Sequence, residues 1–388
     1  MLVWLAPIVV FGLVIFVHEL GHFIAAKLMG VYAPRFSIGF GPALLKKRWG
    51  ETEYQLAALP LGGFVRMASK DDEATAFIEG GSENAVTREA ANGQPMDPEA
   101  MMPFGPKPIP PDRWFESKPL WARMLILLSG VTMNVVLALV VTTGMFVHYG
   151  SPYLSTTADS LFADRPGAMA GLQRGDSIVA IDGKPVDWEA LVTTVSASPG
   201  RTLKFDVMRS GERRTFAVTP ASDTATNPST GKVDSVGRIG IMPVQMARPV
   251  GWGEAVTSGW RATWRMAGTV IDALHGLATR RVSASELGGP IMIAQASVQA
   301  ARGGVEQLLF LIALISINLA VFNLLPIPVL DGGQIVIGLL EGIKGSAFSL
   351  RTREYILRAG IFAVLLLFAL VTYNDLRRLV VSVVDRLG

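Results

Sequence analysis

The sequence predicts a mainly α, polytopic membrane protein: four transmembrane helices, a β segment associated with the membrane, and one soluble α+β domain. Three observations lead there. Half of the 388 residues are hydrophobic and the mean hydropathy is +0.39, too apolar for an ordinary soluble chain. Four apolar runs are each long enough to cross a hydrocarbon layer of about 30 Å. Between the second and third lies a stretch of mixed polarity, with the short alternations and glycine turns of a small mixed domain. The net charge of +3 gives no reason to expect nucleic acid as a partner. The absence of cysteine excludes disulfides and thiolate metal sites, so any metal must be held by histidine and carboxylate.

The first span runs from Leu2 to Leu28. It lacks the basic start and small-x-small cleavage site of a secretion signal, and reads as a retained span. Inside it stands His18-Glu19-Leu20-Gly21-His22, an H-E-x-x-H pattern. On a helix the two histidines sit at i and i+4 and share a face. Two neutral imidazoles there can hold Zn²⁺, with the intervening Glu19 as general base toward a water. Ionisable groups in a membrane helix cost about 2.5–3.5 kcal/mol each, so the cluster needs a compensating partner, and a metal is one. The plainer alternative is an ordinary span whose histidines lie near the headgroups.

Residues 31–67 have strand character in four pieces, Phe36 to Gly41, Ala43 to Trp49, Glu53 to Leu59 and Leu61 to Met67, separated by Gly and Pro. This is either a small cytosolic hairpin or a sheet whose edge pairs with an unwound substrate. Residues 68–119 are rich in acidic, Pro, Gly and Met residues without periodicity and read as a mobile cytoplasmic loop. The second span, Leu120 to Val147, contains Ser129-Gly130-Val131-Thr132-Met133-Asn134, where small residues permit close helix packing and Asn134 is a candidate substrate contact. The soluble domain occupies 151–246. Its strands are expected at Arg201 to Arg209, Arg213 to Pro220 and Val236 to Pro243, with 221–234 a polar loop. Residues 247–305 hold an amphipathic helix with Trp252, Trp260 and Trp264 suited to a membrane interface, then a turn at Leu287-Gly288-Gly289-Pro290. Spans three and four, Gln307 to Leu325 and Tyr355 to Tyr373, complete the membrane part within 306–388. Lys and Arg near the ends of the 28–119 loop and between spans three and four place both in the cytoplasm and the soluble domain outside. Several Arg between Trp260 and Arg302 run against that bias.

A catalytic zinc needs a third protein ligand. His148 and His275 lie toward the other side of the membrane. Asp331 follows the helix-breaking Pro326 and Pro328 at the inner end of span three and precedes Gly332-Gly333. It is either the ligand or an N-cap for a helix over 334–340. Asn323, at the end of span three before the prolines, is placed to orient a carbonyl or a ligand.

The pairing of H-E-L-G-H with N-x-x-P-x-P-x-x-D-G resembles the site-2 protease family of intramembrane zinc metalloproteases. The F-S-I-G-F-G, P-L-G-G-F-V-R-M, G-x-x-x-N and G-G-P-I segments extend the likeness along nearly the whole chain, which is similar to the bacterial RseP type. That resemblance implies that His18, His22 and Asp331 bind Zn²⁺ and that Glu19 is the base. Asn134, Asn323 and the sheet residues Gly39, Gly41 and Phe64 would contact substrate or transition state. P-G-x-x-A-G-L-x-x-G-D over 166–176 resembles a circularly permuted PDZ domain. Gly167, Ala170, Gly171 and Leu172 would then line its peptide groove. The chain has room for one such domain where studied RseP proteins carry two, and position 131 is Val where many relatives have Pro. The implied function is regulated intramembrane proteolysis of single-span proteins, such as anti-sigma factors, or of remnant signal peptides. The protein would be multi-pass in a bacterial inner membrane, with the active site toward the cytoplasmic side and the PDZ domain outside. The implied partners are transmembrane substrates, membrane lipid and an upstream site-1-type protease. Two rivals are a non-catalytic PDZ scaffold with a structural metal, and a metal transporter, although no internal repeat supports the latter.

Overall fold

A computed structural model describes residues 2–69, 101–102, 107–226, 233–283, 285 and 288–387. The chain divides into two compact units, one formed by 1–145 with 256–388 and the other by 146–255. Each is described by itself.

In the first unit, helix α1 (Ala6–Leu28) opens with a proline in its first turn and ends with Lys27 in its last, both matched to the helix ends. Strands β1 (Arg35–Trp49) and β2 (Thr52–Arg66) follow, joined through Gly50. The four expected strand pieces merge into these two long strands, and the register keeps the memory of four. Residues 35–38 face 53–56 and also 63–66, while 45–49 face 52–56. The bend in β1 falls at Gly39 and Gly41, whose φ values of 92° and 87° are open to glycine at little cost. Phe23, Phe36 and Val65 form the core between α1 and the sheet.

Most of the expected mobile loop lies outside the described residues, but its end is packed. Tyr32, Ala68 and Ile109 are buried together against Trp114, and backbone hydrogen bonds join Tyr32, Ala68, Arg113 and Phe115. Arg113 grips both oxygens of Glu51 at 2.6 and 2.7 Å, and Lys27 adds a bond at 2.5 Å. The hydrogen bonds from Arg113 hold the Glu51 carboxyl down at about 2.

Helix α2 (Leu120–Tyr149) is the second apolar helix. In the second unit, strand β3 (Ser151–Leu161) was not foreseen; it is polar and largely exposed, and it forms by pairing with the final strand of the unit. Strand β4 (Ser177–Ile181), helix α3 (Trp188–Ser196), β5 (Leu203–Arg209) and β6 (Glu212–Val218) follow. The expected loop over 221–234 is instead a hairpin of β7 (Ala221–Thr226) and β8 (Val233–Arg238), and the closing strand is β9 (Ile241–Arg248). The Ser and Thr of that hairpin make its exposed ladder compatible with water and so invisible to a hydrophobic pattern. The main sheet runs β9-β3-β4-β5-β6, with 184–185 paired to β4. Leu172, Ile178, Leu203, Phe205, Val207 and Val218 form its core.

Returning to the first unit, helix α4 (Trp252–Ala278) is more than an interfacial helix. Thr263 and Ala267 are buried, Thr263 against Thr142 of α2, and Ala267 with Ala138, Ala313 and Ile317, while Trp260 and Trp264 stay exposed. Helices α5 (Pro290–Gly303), α6 (Val305–Asn323), α7 (Asp331–Lys344) and α8 (Leu350–Leu387) complete the chain. Among the described residues, four helices are long and apolar enough to cross a membrane: 3–28, 120–149, 305–323 and 351–381.

Candidate metal centre

The site forms where α1, α2, the end of α6 and the start of α7 converge. The i, i+4 spacing sets His18 and His22 on one buried face of α1. Pro326 and Pro328 end α6, and the chain re-enters a helix at Asp331. The N-cap position of α7 belongs to Leu330, so Asp331 is its first helical residue and does not cap it. Its carboxylate meets the histidines instead.

The three candidate ligands form a tight triangle. Nε2 of His18 and Nε2 of His22 are 3.1 Å apart. Asp331 Oδ2 lies 3.3 Å from His18 Nε2, and Oδ1 lies 3.4 Å from His22 Nε2. A tetrahedral zinc with bonds of about 2.0–2.1 Å has ligand–ligand edges of about 3.3 Å. The Nε2–Nε2 distance is close to that, each ring has a different carboxylate oxygen at about that distance, and with one ligand atom from each residue all three lie within 4.8 Å of one another. Among the described residues no other group of three His, Cys, Asp or Glu side chains converges in this way. Asp331 Oδ2 is buried and makes no hydrogen bond of good geometry, which suits a lone pair offered to a cation. The donor set, two imidazoles and a carboxylate, fits zinc.

The far edges of the rings fix their tautomers. His22 Nδ1–H donates to the Ile126 carbonyl at 2.8 Å, which leaves the Nε2 lone pair facing Asp331. His18 has an amide on each side: Asn323 Nδ2 is 3.1 Å from Nε2, and the Asn134 carboxamide is 3.3 Å from Nδ1. With Asn323 donating to Nε2, the ring proton sits on Nδ1 and needs an acceptor. Asn134 is wholly buried, and its Oδ1 has no partner with Nδ2 turned to the ring. Half a turn of that amide satisfies both groups, and it then holds His18 as a metal ligand must be held. Asn134 therefore orients His18 from behind and does not line the cavity. Gly130 completes the support: a Cβ there would collide with both imidazoles.

A cavity of about 390 Å³ opens on the triangle. His18, Glu19, His22, Asn323 and Asp331 line it with Gly62, Gly63, Val65 and Met67 of the sheet. Glu19 Oε2 accepts the Val65 N–H at 3.2 Å, which ties the candidate base to the sheet segment that pairs with 35–38. Gly39, Gly41 and Phe64 are not in the lining. Strand alternation turns Phe64 to the opposite face from Gly63 and Val65. The alternation was readable in the sequence; which face meets the site was not. In the other unit, Leu172 is buried in the core, Gly167 N–H bonds Ile239 O at 2.8 Å, and Gly171 adopts φ 93° at the turn.

A model of peptidase family M50 matches residues 6–367. Zinc metalloprotease RasP of Bacillus licheniformis is 32% identical, over 97% of this chain and 99% of its own. The regulator of sigma-W protease RasP of Bacillus subtilis is 29% identical, over 97% and 98%. Among solved structures, the PDZ domain of the SdrC-like protein of Listeria innocua aligns with 23% of this chain and 92% of its own at 21% identity, with a TM-score of 0.19, a likeness too slight to assign a fold. With a family model spanning nearly its whole length and a full-length relative at 32% identity, the chain belongs to peptidase family M50.

Proposed function

We propose that the chain is an intramembrane zinc endopeptidase of regulated proteolysis, with His18, His22 and Asp331 as zinc ligands and Glu19 as the base. The observation that carries this reading is the convergence of ligand atoms from His18, His22 and Asp331 within 4.8 Å of one another, with Glu19 in the same cavity. When bound there, zinc supplies Lewis acidity toward a peptide carbonyl and lowers the pKa of water toward about 7. Glu19 takes a proton from the attacking water as its oxygen adds to the carbonyl carbon, and delivers it to the amine nitrogen as the C–N bond breaks. Asn323, on the cavity wall beside His18, is placed to donate to the carbonyl oxygen as charge develops.

A helical peptide bond already has its carbonyl hydrogen-bonded, so the substrate must unwind locally. Residues 62–65, beside Glu19, give the extended form a strand to lie along. Substrates are then single-span proteins or remnant signal peptides. The name of the Bacillus subtilis relative favours regulators of sigma factors. The positive-inside pattern puts the site toward the cytoplasm, with unit 151–246 outside as a PDZ domain that reads a peptide end left by an earlier protease. A structural zinc would need a fourth protein ligand, and among the described residues the cluster has three.

Glu19→Gln tests the reading. It is expected to abolish cleavage of a single-span substrate in membranes while one zinc per chain is retained. Cleavage at the wild-type rate would remove Glu19 from its role.

A further inference from the structure

Helix α8 carries a buried aspartate that the chemistry above does not use. Asp375 is 3% exposed, although α8 as a whole packs little against the rest of its unit. A carboxylate in such a helix is costly unless fully bonded. Asp375 is fully bonded, to one target. Its Oδ1 accepts the Gly289 N–H at 3.0 Å, and its Oδ2 accepts those of Ile291 and Met292, each at 3.0 Å. These are the unpaired amides at the start of α5, which has no capping side chain of its own. One turn along α8, Arg378 donates to the Ser285 carbonyl and to Met292 Sδ. The anion takes the segment's donors and the cation takes its acceptors. Gly289 is required by the approach: a Cβ there would lie 2.7 Å from Asp375 Oδ2 and 2.8 Å from the Val371 carbonyl.

The clamped helix leads to the metal centre. Ile293, the residue after the clamped amides, packs into the cluster of Val10, Val14, Ile312 and Ile315. Val14 lies one turn before His18 on α1, and α6 ends at Asn323. Helix α5 is thus packed against α1 and α6, two of the helices that bring groups to the site, and Asp375 fixes its end.

We propose that Asp375, with Arg378, is a positioning residue of the zinc centre: by clamping the start of α5 it sets, through Ile293, the place of His18 relative to Asp331. This inference rests on the zinc reading above. The test uses the full chain in detergent and the metal alone. Zinc affinity is measured by competition with a chromophoric chelator, and ligand geometry by the visible absorption bands of the cobalt(II)-loaded protein. Asp375→Ala is expected to raise the zinc Kd at least tenfold and shift the cobalt bands; Asp375→Asn, which keeps an acceptor oxygen without the charge, falls between it and wild type. Should Asp375→Ala not fold, Asp375→Asn and Gly289→Ala carry the test, since Gly289→Ala displaces the carboxylate from the other side. Folded variants with wild-type Kd and bands overturn the inference and leave the zinc centre standing. A wild-type chain that holds no zinc overturns the centre and the inference with it.

Discussion

Asp176 and Asp331 are aspartates withdrawn from water, one in each unit, and their carboxylates are met differently. Arg209 takes both oxygens of Asp176 at 2.7 Å and also holds the Gly171 carbonyl at 2.7 Å, and the Gln173 N–H adds a further bond at 2.8 Å. Burial pushes the Asp176 carboxyl up, but the hydrogen bonds from Arg209 and Gln173 outweigh it and hold the group below the ordinary aspartate range. Asp331 has no such cation. It faces two imidazoles whose far nitrogens are already engaged, each ring against a different carboxylate oxygen, so the lone pairs of three residues face one another across a small space. A buried carboxylate that closes on its own arginine organises a loop. One that closes only with other acceptors is built to share a cation.

Breaking the comparison at each end should give opposite results. Asp331→Ala is expected to strip zinc and reduce cleavage by about 10³-fold or more, in line with losing a group that acts as part of a unit. Hydrogen exchange in 151–248 should stay as in the wild type. Asp176→Ala removes the carboxylate that holds Arg209 and the Gln173 amide and should destabilise its unit, read as faster exchange across β4 and β5, with zinc content unchanged. If Asp176→Ala loses zinc, the two aspartates do not differ in the way described.

Support of the ligands should matter next. Gly130→Ala drives a methyl group into both imidazoles and is expected to weaken zinc binding about 10- to 100-fold, the range of groups that orient metal ligands. Asn134→Leu removes the acceptor behind His18 and should cost about tenfold. Chelator competition measures both; equal affinities for both variants and wild type would mean that the rings need no backing.

The smallest effect is electrostatic and lies away from the metal. Glu51 has a folded pKa of about 2, below the ordinary glutamate value of 4.5. Its ion pair with Arg113 therefore stabilises the protein above about pH 4.5 and is lost as pH falls toward 2. Glu51→Gln should lower the thermal midpoint at pH 7 by a few degrees, and the difference from wild type should shrink at pH 3. A gap that widens in acid would contradict the sign.

Much of the centre was legible because its parts obey local rules. His18 and His22 follow helical spacing in an apolar run, and Asp331 follows two helix-breaking prolines. What stayed hidden depends on contacts distant in sequence. Phe64 and Val65 differ only in which face the sheet turns to α1. Gly130 reads as ordinary helix packing until the imidazoles stand beside it. Strand β3 exists because β9 pairs with it, and the 221–238 hairpin has no apolar face to announce it. The folded end of the 68–119 segment owes its order to Tyr32 and Glu51, which lie far before it in the chain.

X-ray absorption at the zinc edge of the purified chain tests most directly whether stretches more than three hundred residues apart share one metal. Two imidazole nitrogens are expected at about 2.0–2.1 Å and carboxylate oxygen at about 2.0–2.2 Å, with about half of the histidine signal lost in any zinc that His18→Ala retains, and zinc itself lost from Asp331→Ala. A wild-type zinc spectrum that persists unchanged in Asp331→Ala would contradict the shared centre.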